Sequence, residues 1–403
     1  MQWLNLVAYS VSQLVLIVWT QRAVTAQRHL PRIPNLLRDV APPAPCSLSS
    51  APRITVIVPA RNEAAAIEAM LRSLLAQTIP IAIIAVDDRS TDATGTLMDS
   101  LSAQLSAETV AAGKFLSLVH IRSLPPGGMG KTHAMALAAR QSATPWLLFT
   151  DGDVVFRPDT LERALSYAEH ADVDHLVLLP TLILKTAGER MMTAVFQSLS
   201  LLTWRPWKIA DPKAKHESIG MGAFNLVRSD VYRATGGFEG LRLEVLEDLR
   251  LGYEIKHRGY RQHLVLGPGL IQLYWAAGVF GMLHNLTKNI YATFRFRISL
   301  FLGAWLGLLI VCFVPLAGLF VASWCVRVVS VLSLLMIALL YQQASRYYNR
   351  INPAWVFTFP IAAALVLYAM LRSVFLTLLR QGIVWRDTFY PLRELRRHAG
   401  PLR

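Results

Sequence analysis

The sequence predicts an α/β domain built on a doubly wound parallel sheet and joined to an α-helical transmembrane region. Apolar, strand-length runs that end in polar loops alternate with helical patterns, which points to the sheet. The membrane region follows from composition, because 54% of residues are hydrophobic and 16% charged, and from charge-free stretches long enough to cross a bilayer.

Taken in order, residues 2–20 carry no Asp, Glu, Lys or Arg, and Arg22, Arg28 and Arg32 follow them. That pattern predicts an uncleaved anchor over residues 1–21 with its C-terminal side cytoplasmic. The next segment, a linker over 22–51, is too rich in proline for a long helix. Then "ITVIVPA" (54–60) reads as a buried strand and "NEAAAIEAMLRSLLAQ" (62–77) as a helix with Ile67, Met70, Leu71 and Leu74 on one face. The unit repeats through "IAIIAVDD", through "GKFLSLVHI" with "PPGGMGKTHAMALAAR", and through "PWLLFTDGDVVF". Ligands of such sheets sit beyond the carboxyl ends of the strands. Arg61, Asn62, Glu63, Asp87, Asp88, Lys131, Asp151 and Asp153 are therefore expected to share one crevice.

Past the sheet, "ERMMTAVFQSLSLLTWRPWKI" (189–209) predicts an interfacial helix with Trp204 and Trp207 at headgroup level, and residues 279–297 a second one. Charge-free runs over 298–326, 328–345 and 351–371 predict transmembrane or re-entrant helices within 298–379. Residues 380–403 hold six arginines against two acids, which argues for a cytoplasmic tail. Three full crossings would put that tail outside, so residues 351–379, with Pro353, Pro360 and Arg372, are expected to form a re-entrant or interfacial hairpin. The net charge of +14 fits cytoplasmic flanks, with attraction to anionic lipid and substrate as the sharper reading. Cys46, Cys312 and Cys325 suggest neither a disulfide framework nor a zinc site.

Asp151 and Asp153, one residue apart at a strand end, suit a hard divalent cation such as Mg²⁺ or Mn²⁺, although paired acids at a turn also serve as helix caps. Asp92 and Asp159 read as solvated surface acids.

The set "VIVPARNEA", "VDDRSTDAT", "GMGKTHAMALA", the Asp-x-Asp pair and "LEDLRLG" resembles family 2 glycosyltransferases of GT-A fold over roughly residues 52–297. The stretches "LPPGGMGKTHA", "GMGAFNLVRSDVYRATGGFE" and "RQGIVWRDTFYPL" are most similar to membrane-bound members that glycosylate hopanoids, carotenoids or ceramide. The resemblance implies that Glu63, Asp87 and Asp88 hold the nucleoside and that Pro59, Arg61 and Gly222 belong to the nucleotide-sugar site. Lys131 would face the diphosphate, outside any Walker loop, because Pro125 stands where that motif needs glycine. Asp151 and Asp153 would hold Mg²⁺ or Mn²⁺, Asp248 would be the general base, and Glu247 would tune or cap.

The Gln-x-x-Arg-Trp motif of processive synthases is absent; "HNLTKNIYATFRFR" (284–297) stands in that region. On the acceptor and membrane side, Trp204, Trp207, Tyr274, Trp275, His284 and Lys288 are the candidates. The implied function is inverting transfer of one sugar from a nucleotide donor, with UDP-hexose favoured, to a membrane lipid hydroxyl. The implied enzyme is multi-pass in a bacterial-type inner membrane with its catalytic domain cytoplasmic, and no nucleic acid partner is implied. A polyprenyl-phosphate sugar transferase, a processive polysaccharide synthase, and a catalytically idle nucleotide-sugar-binding scaffold stand as alternatives.

Overall fold

The computed structural model describes residues 2–40, 51–125, 127–385 and 388–399. Part of the expected linker, with Cys46, and the end of the basic tail lie outside the described residues. The chain divides into two compact units, one of Ile33–Ile183 and Lys208–Tyr274, the other of Met1–Arg32, Leu184–Trp207 and Trp275–Leu402.

After α1 (Gln2–His29) the first unit opens with β1 (Ile54–Ala60), buried at every position, and α2 (Ile67–Leu75), whose Ile67, Met70, Leu71 and Leu74 are buried at helical spacing. β2 (Ile81–Asp88), α3 (Thr94–Ala103), α4 (Ala107–Ala111), β3 (Lys114–Ile121), α5 (Gly130–Arg140) and β4 (Trp146–Phe149) follow. Next come β5 (Val155–Phe156), α6 (Thr160–His170), β6 (His175–Leu178) and β7 (Thr181–Leu182). The chain leaves for α7 (Ala187–Thr203) and returns as β8 (Asn225–Arg228), α8 (Ser229–Ala234), α9 (Glu247–His257), β9 (Gln262–Val265) and β10 (Ile271–Leu273).

Seven strands form the main sheet in the order β3-β2-β1-β4-β8-β6-β9. The first four are parallel, as expected, but β8 runs antiparallel to both β4 and β6, so the sheet is mixed. The reason is local. The loop before β8 lies at the carboxyl end of β4, where the Asp151 amide donates to Gly222 O (2.9 Å). A strand entering from that end needs no crossover helix and must run backwards. Short strands β5, β10 and β7 make a second sheet. Below the site, Phe149 packs edge-on against Phe238 (4.9 Å between ring centroids) and beside Tyr232 (5.1 Å), which seats the end of β4 on an aromatic floor.

The second unit contains α1, α7, α10 (Gly278–Thr293), α11 (Ile298–Gly318), α12 (Trp324–Tyr347), α13 (Phe359–Leu379), the hairpin β11 (Gly382–Trp385) and β12 (Thr388–Pro391), and α14 (Leu392–His398). Three helices among the described residues are long and apolar enough to cross a membrane, Ile298–Gly318, Trp324–Tyr347 and Pro353–Leu379. Exposed Leu302, Leu306, Ile310, Ile361 and Phe375 on two of them fit membrane association.

The hairpin expected over 351–379 is absent: a 3-10 turn (Pro353–Thr358) leads into one continuous 21-residue helix. Pro353 and Pro360 sit in first turns, where a missing N–H costs nothing, so they start helix and do not break it. Arg372 donates to Thr287 Oγ1 on α10 (2.9 Å). The helix expected over 189–209 stops at Thr203, and its Met192, Val195, Leu199 and Leu202 are buried. Its start is a capping box of Thr186 and Glu189, and Glu189 also accepts the Gly278 amide at the start of α10 (2.7 Å).

Candidate active site

At the carboxyl end of β4, Lys131 from the first turn of α5 reaches Asp151 Oδ1 (2.6 Å) and Glu247 Oε1 (2.8 Å). Glu247 and Asp248 open α9, where the N-terminal helix field favours negative charge. Asp248 accepts two amides, from Leu249 (2.7 Å) and from Gly222 (2.8 Å). The Gly222 peptide thus bridges the two acidic elements, its N–H on Asp248 and its carbonyl on the Asp151 amide.

Two close approaches explain glycines here. A Cβ on Gly222 would run into the Asp151 carboxylate, and one on Gly220 into the Asp248 carbonyl oxygen. Together these groups enclose a cavity of about 10 Å³, space for roughly one water.

Acids dominate this corner. Burial pushes the Asp248 carboxyl up to about 7, Glu247 adds to the rise, and Lys131 opposes it. Burial alone would lower Lys131, yet Asp151, Glu247 and Asp248 together hold its ammonium above the ordinary value. Lys131 thus stands among three acids, Asp151, Glu247 and Asp248.

The other side of the crevice is laced shut by its own loops. Asp87 accepts the Ser90 amide (3.1 Å) and meets His120 Nδ1 (3.2 Å), whose Nε2 meets Asp99 (3.0 Å). Hydrogen bonding to Asp87 raises His120 above its usual value, burial opposes this, and Asp99 adds to it. Buried Asp88 is paired by Arg89 through both carboxylate oxygens (2.8 and 3.1 Å). A Cβ at Gly130 would meet Asp88, so this acid abuts the start of α5, one residue from Lys131. The Glu63 amide donates to Thr94 Oγ1 (2.8 Å), and the Glu63 side chain lies beside Gly152. Arg61 and Asp153 are half-buried, and Pro59 is buried within β1.

Lys131, Asp151, Gly222, Glu247 and Asp248 are brought into direct contact, with Asp88 adjoining through α5. Of the acceptor-side candidates, Tyr274 ends the sheet unit and the rest lie in the helical unit. There Trp207 stacks on His29 (6.0 Å), Trp275 lies beside Phe196 (6.4 Å) and Lys288 covers the Trp385 ring (4.3 Å). Trp204 is half-buried and His284 exposed.

Sequence reasoning missed His120 and Arg89, which hold Asp87 and Asp88, because neither sits in a spacing that announces a role. It also passed over two acids. Asp92 ties Thr94 and the Ala64 amide (3.1 Å), and Asp159 binds Arg157 and Arg163 (2.6 Å each), so neither is merely solvated.

Asp151 and Asp153 offer hard oxygen donors, the ligand type that Mg²⁺ or Mn²⁺ takes. Among the described residues no group of three or more His, Cys, Asp or Glu is arranged to hold a metal by protein alone. A cation here would share its shell with substrate phosphate oxygens.

The family model for glycosyl transferase family 2 matches residues 55–236. A "4,4'-diaponeurosporenoate glycosyltransferase" of Staphylococcus aureus (strain bovine RF122 / ET3-1) is 27% identical over 202 residues, 49% of this chain and 50% of that protein. The same-named protein of strain USA300 matches to the same extent. The aligned region thus spans about half the length of these curated relatives. Among solved structures, the mannosyltransferase PcManGT from Pyrobaculum calidifontis in complex with GDP-Man and Mn²⁺ superposes with a TM-score of 0.52 at 20% identity. That superposition covers 89% of this chain and 97% of that one, and it speaks for the fold. Residues 55–236 of this chain are a glycosyl transferase family 2 domain, carried on a GT-A fold.

Proposed function

We propose that this protein transfers a sugar, with inversion, from a nucleoside-diphosphate sugar to the hydroxyl of a membrane lipid. The observation that carries the reading is the acidic corner at the end of β4, where Lys131 stands between Asp151 and Glu247 beside a carboxyl raised to about 7. A general base must be neutralisable near the working pH, and Asp248 is. As the acceptor oxygen attacks the anomeric carbon, Asp248 takes its proton and the bond to the nucleoside diphosphate breaks. Lys131 leaves Asp151 to meet the diphosphate as a point charge, and Glu247 keeps its ammonium charged.

A divalent cation held by Asp151 and Asp153 would supply Lewis-acid neutralisation of the departing diphosphate. On the opposite side, Glu63, Asp87 and Asp88, with Arg61 nearby, form the nucleoside wall, already ordered by His120 and Arg89. UDP-hexose is the first donor to test, with GDP-mannose beside it because the solved neighbour is a GDP-Man complex.

The acceptor reading draws on the apolar helices and on the name of the Staphylococcus aureus relatives, a carotenoid-type glycosyltransferase. We place the unit of residues 33–183 and 208–274 on the cytoplasmic side, where nucleotide sugars are, with α1 as the anchor. The test compares extracted lipids from cells with wild-type protein, with Asp248→Asn and without the gene product by mass spectrometry. A hexose-mass increment on one lipid class is expected only with wild type. Its absence from every class, or its persistence in Asp248→Asn, overturns the reading.

A further inference from the structure

Beneath the loop that bridges Asp151 and Asp248 lies a buried polar cluster, of which Asn225 also lines the small cavity of the site. His175 on β6 faces Gln262 on β9 in register, and Asn225 opens β8. All three are at most 1% exposed. Asn225 Oδ1 accepts the Met221 amide (3.1 Å) and lies 3.1 Å from His175 Nε2. Gln262 Oε1 accepts the Ile219 amide (2.9 Å). Gln262 Nε2 is within hydrogen-bond distance of His175 Nδ1 (2.8 Å), Ile219 O (2.9 Å) and Gly252 O (3.0 Å).

A sheet interior does not need such groups for stability. Replacing buried, paired polar groups by apolar ones of the same shape is often neutral or better. What the cluster holds is the loop itself: Ile219 by amide and carbonyl, Met221 by amide. The Gly222 peptide that follows then has one orientation, with N–H on Asp248 and carbonyl on the Asp151 amide (2.8 and 2.9 Å). Gly220 and Gly252 let α9 press against the same loop, since a Cβ at Gly252 would strike Ile219 O.

We propose that His175, Asn225 and Gln262 are positioning residues, which set the spacing between the base Asp248 and the diphosphate-side Asp151 by clamping residues 219–222. The inference rests on the catalytic roles proposed above for those two acids. Burial depresses His175 to about 4, so the ring is neutral at working pH, with Nε2–H given to Asn225 and Nδ1 receiving Gln262. The clamp therefore has one hydrogen-bond pattern across the physiological range. A misplacement of about 1 Å in such a site costs roughly 10²-fold in rate.

Asn225→Ala and Gln262→Met remove the clamp. Hydrogen exchange on the full chain in detergent needs no substrate. Residues 219–224 should exchange about tenfold faster or more in both variants, which is about 1.4 kcal/mol of local opening, with β1 and β2 unchanged. Unchanged exchange at 219–224, or exchange rising equally in β1, overturns the proposal. In the transfer assay, kcat should fall about tenfold or more in Asn225→Ala and in Gln262→Met, the latter away from the cavity, while the donor KM stays within about twofold. A loss shared by kcat and KM that tracks thermal stability, or no loss, overturns it equally. Full transfer by Asp248→Asn would sink the proposed chemistry, while the exchange experiment still decides the clamp.

Discussion

Asp159 and Asp248 both stand at the start of a helix in the same unit, and the structure treats them oppositely. Asp159, just before α6, is gripped by Arg157 and Arg163, whose hydrogen bonds hold its carboxyl down at about 2. Asp248, in the first turn of α9, is half-buried beside Glu247, and desolvation raises it to about 7. The first acid has more positive charge than it needs and fastens structure, since Arg163 also holds Leu36 O (3.2 Å) and Val40 O (3.1 Å). The second shares Lys131 with Asp151 and Glu247 and forms no ion pair as close as theirs, and a group in that state is poised to take a proton. Local helix chemistry is alike in both; what differs is the surrounding charge.

The sharpest way to break this contrast is Asp248→Asn. Transfer should fall by roughly 10²–10⁴-fold, the usual worth of a general base. In wild type the acid limb of kcat/KM should centre near pH 7, because the base must be unprotonated. Stability should move the other way. A carboxyl raised in the folded state stabilises below its unfolded value near 3.8 and loses that contribution as pH climbs through about 7. Asp248→Asn should therefore melt higher than wild type at pH 8, by about 1–2 kcal/mol once screening is allowed for. A variant that loses activity and melts lower would show Asp248 to be structural.

Lys131→Met tests the same corner from the cationic side. Asp151, Glu247 and Asp248 would be left facing one another, at a cost of about 3 kcal/mol, the lower end for breaking a buried pair. If the corner accepts a second cation, millimolar Mn²⁺ should raise the variant's melting temperature more than that of wild type. Equal shifts in both proteins would argue that Asp151 and Asp153 do not take metal in place of the lysine.

On the nucleoside side the effect should be smaller. His120→Ala frees Asp87 from one partner and should weaken donor binding a few-fold with kcat little changed, since His120 touches no reacting atom. The hydrogen bond to Asp87 raises His120 above its ordinary value, so its contribution is complete below about 6.5 and fades as pH rises through the raised value. A kcat loss equal to that of Asp248→Asn would erase the division between the two walls.

The strand-to-acid runs of β1, β2 and β4 were legible because buried strands and the loops after them leave a pattern within one short window. Lys131, Asp151 and Asp248 were named on their motifs, and the fold brings them within reach of one another. The reversed strand β8 was not legible, since "NLVR" reads the same in either direction and its sense is set by where the preceding loop docks. Partners such as His120 for Asp87, or Gln262 for Ile219, depend on tertiary approach across 33 and 43 residues. Pro353 and Pro360 misled for a related reason: a proline ends a helix or begins one according to its position in the turn, which composition does not show.

Asp159 supplies the mildest test and the opposite sign. A carboxyl lowered in the folded state contributes stability that is present above its unfolded value near 3.8 and is lost as pH falls towards about 2. Its side chain is 26% exposed and the Arg157 partner 40%, so screening reduces the contribution to about 1 kcal/mol. Asp159→Asn should thus be about that much less stable at pH 7 and nearly equal to wild type at pH 2, with transfer activity unchanged. Denaturant melts at the two pH values measure the difference. A large activity loss at pH 7 with stability intact would mean that the Arg163 tether on residues 36–40 reaches the chemistry, and that a fully compensated acid can matter there as much as an uncompensated one.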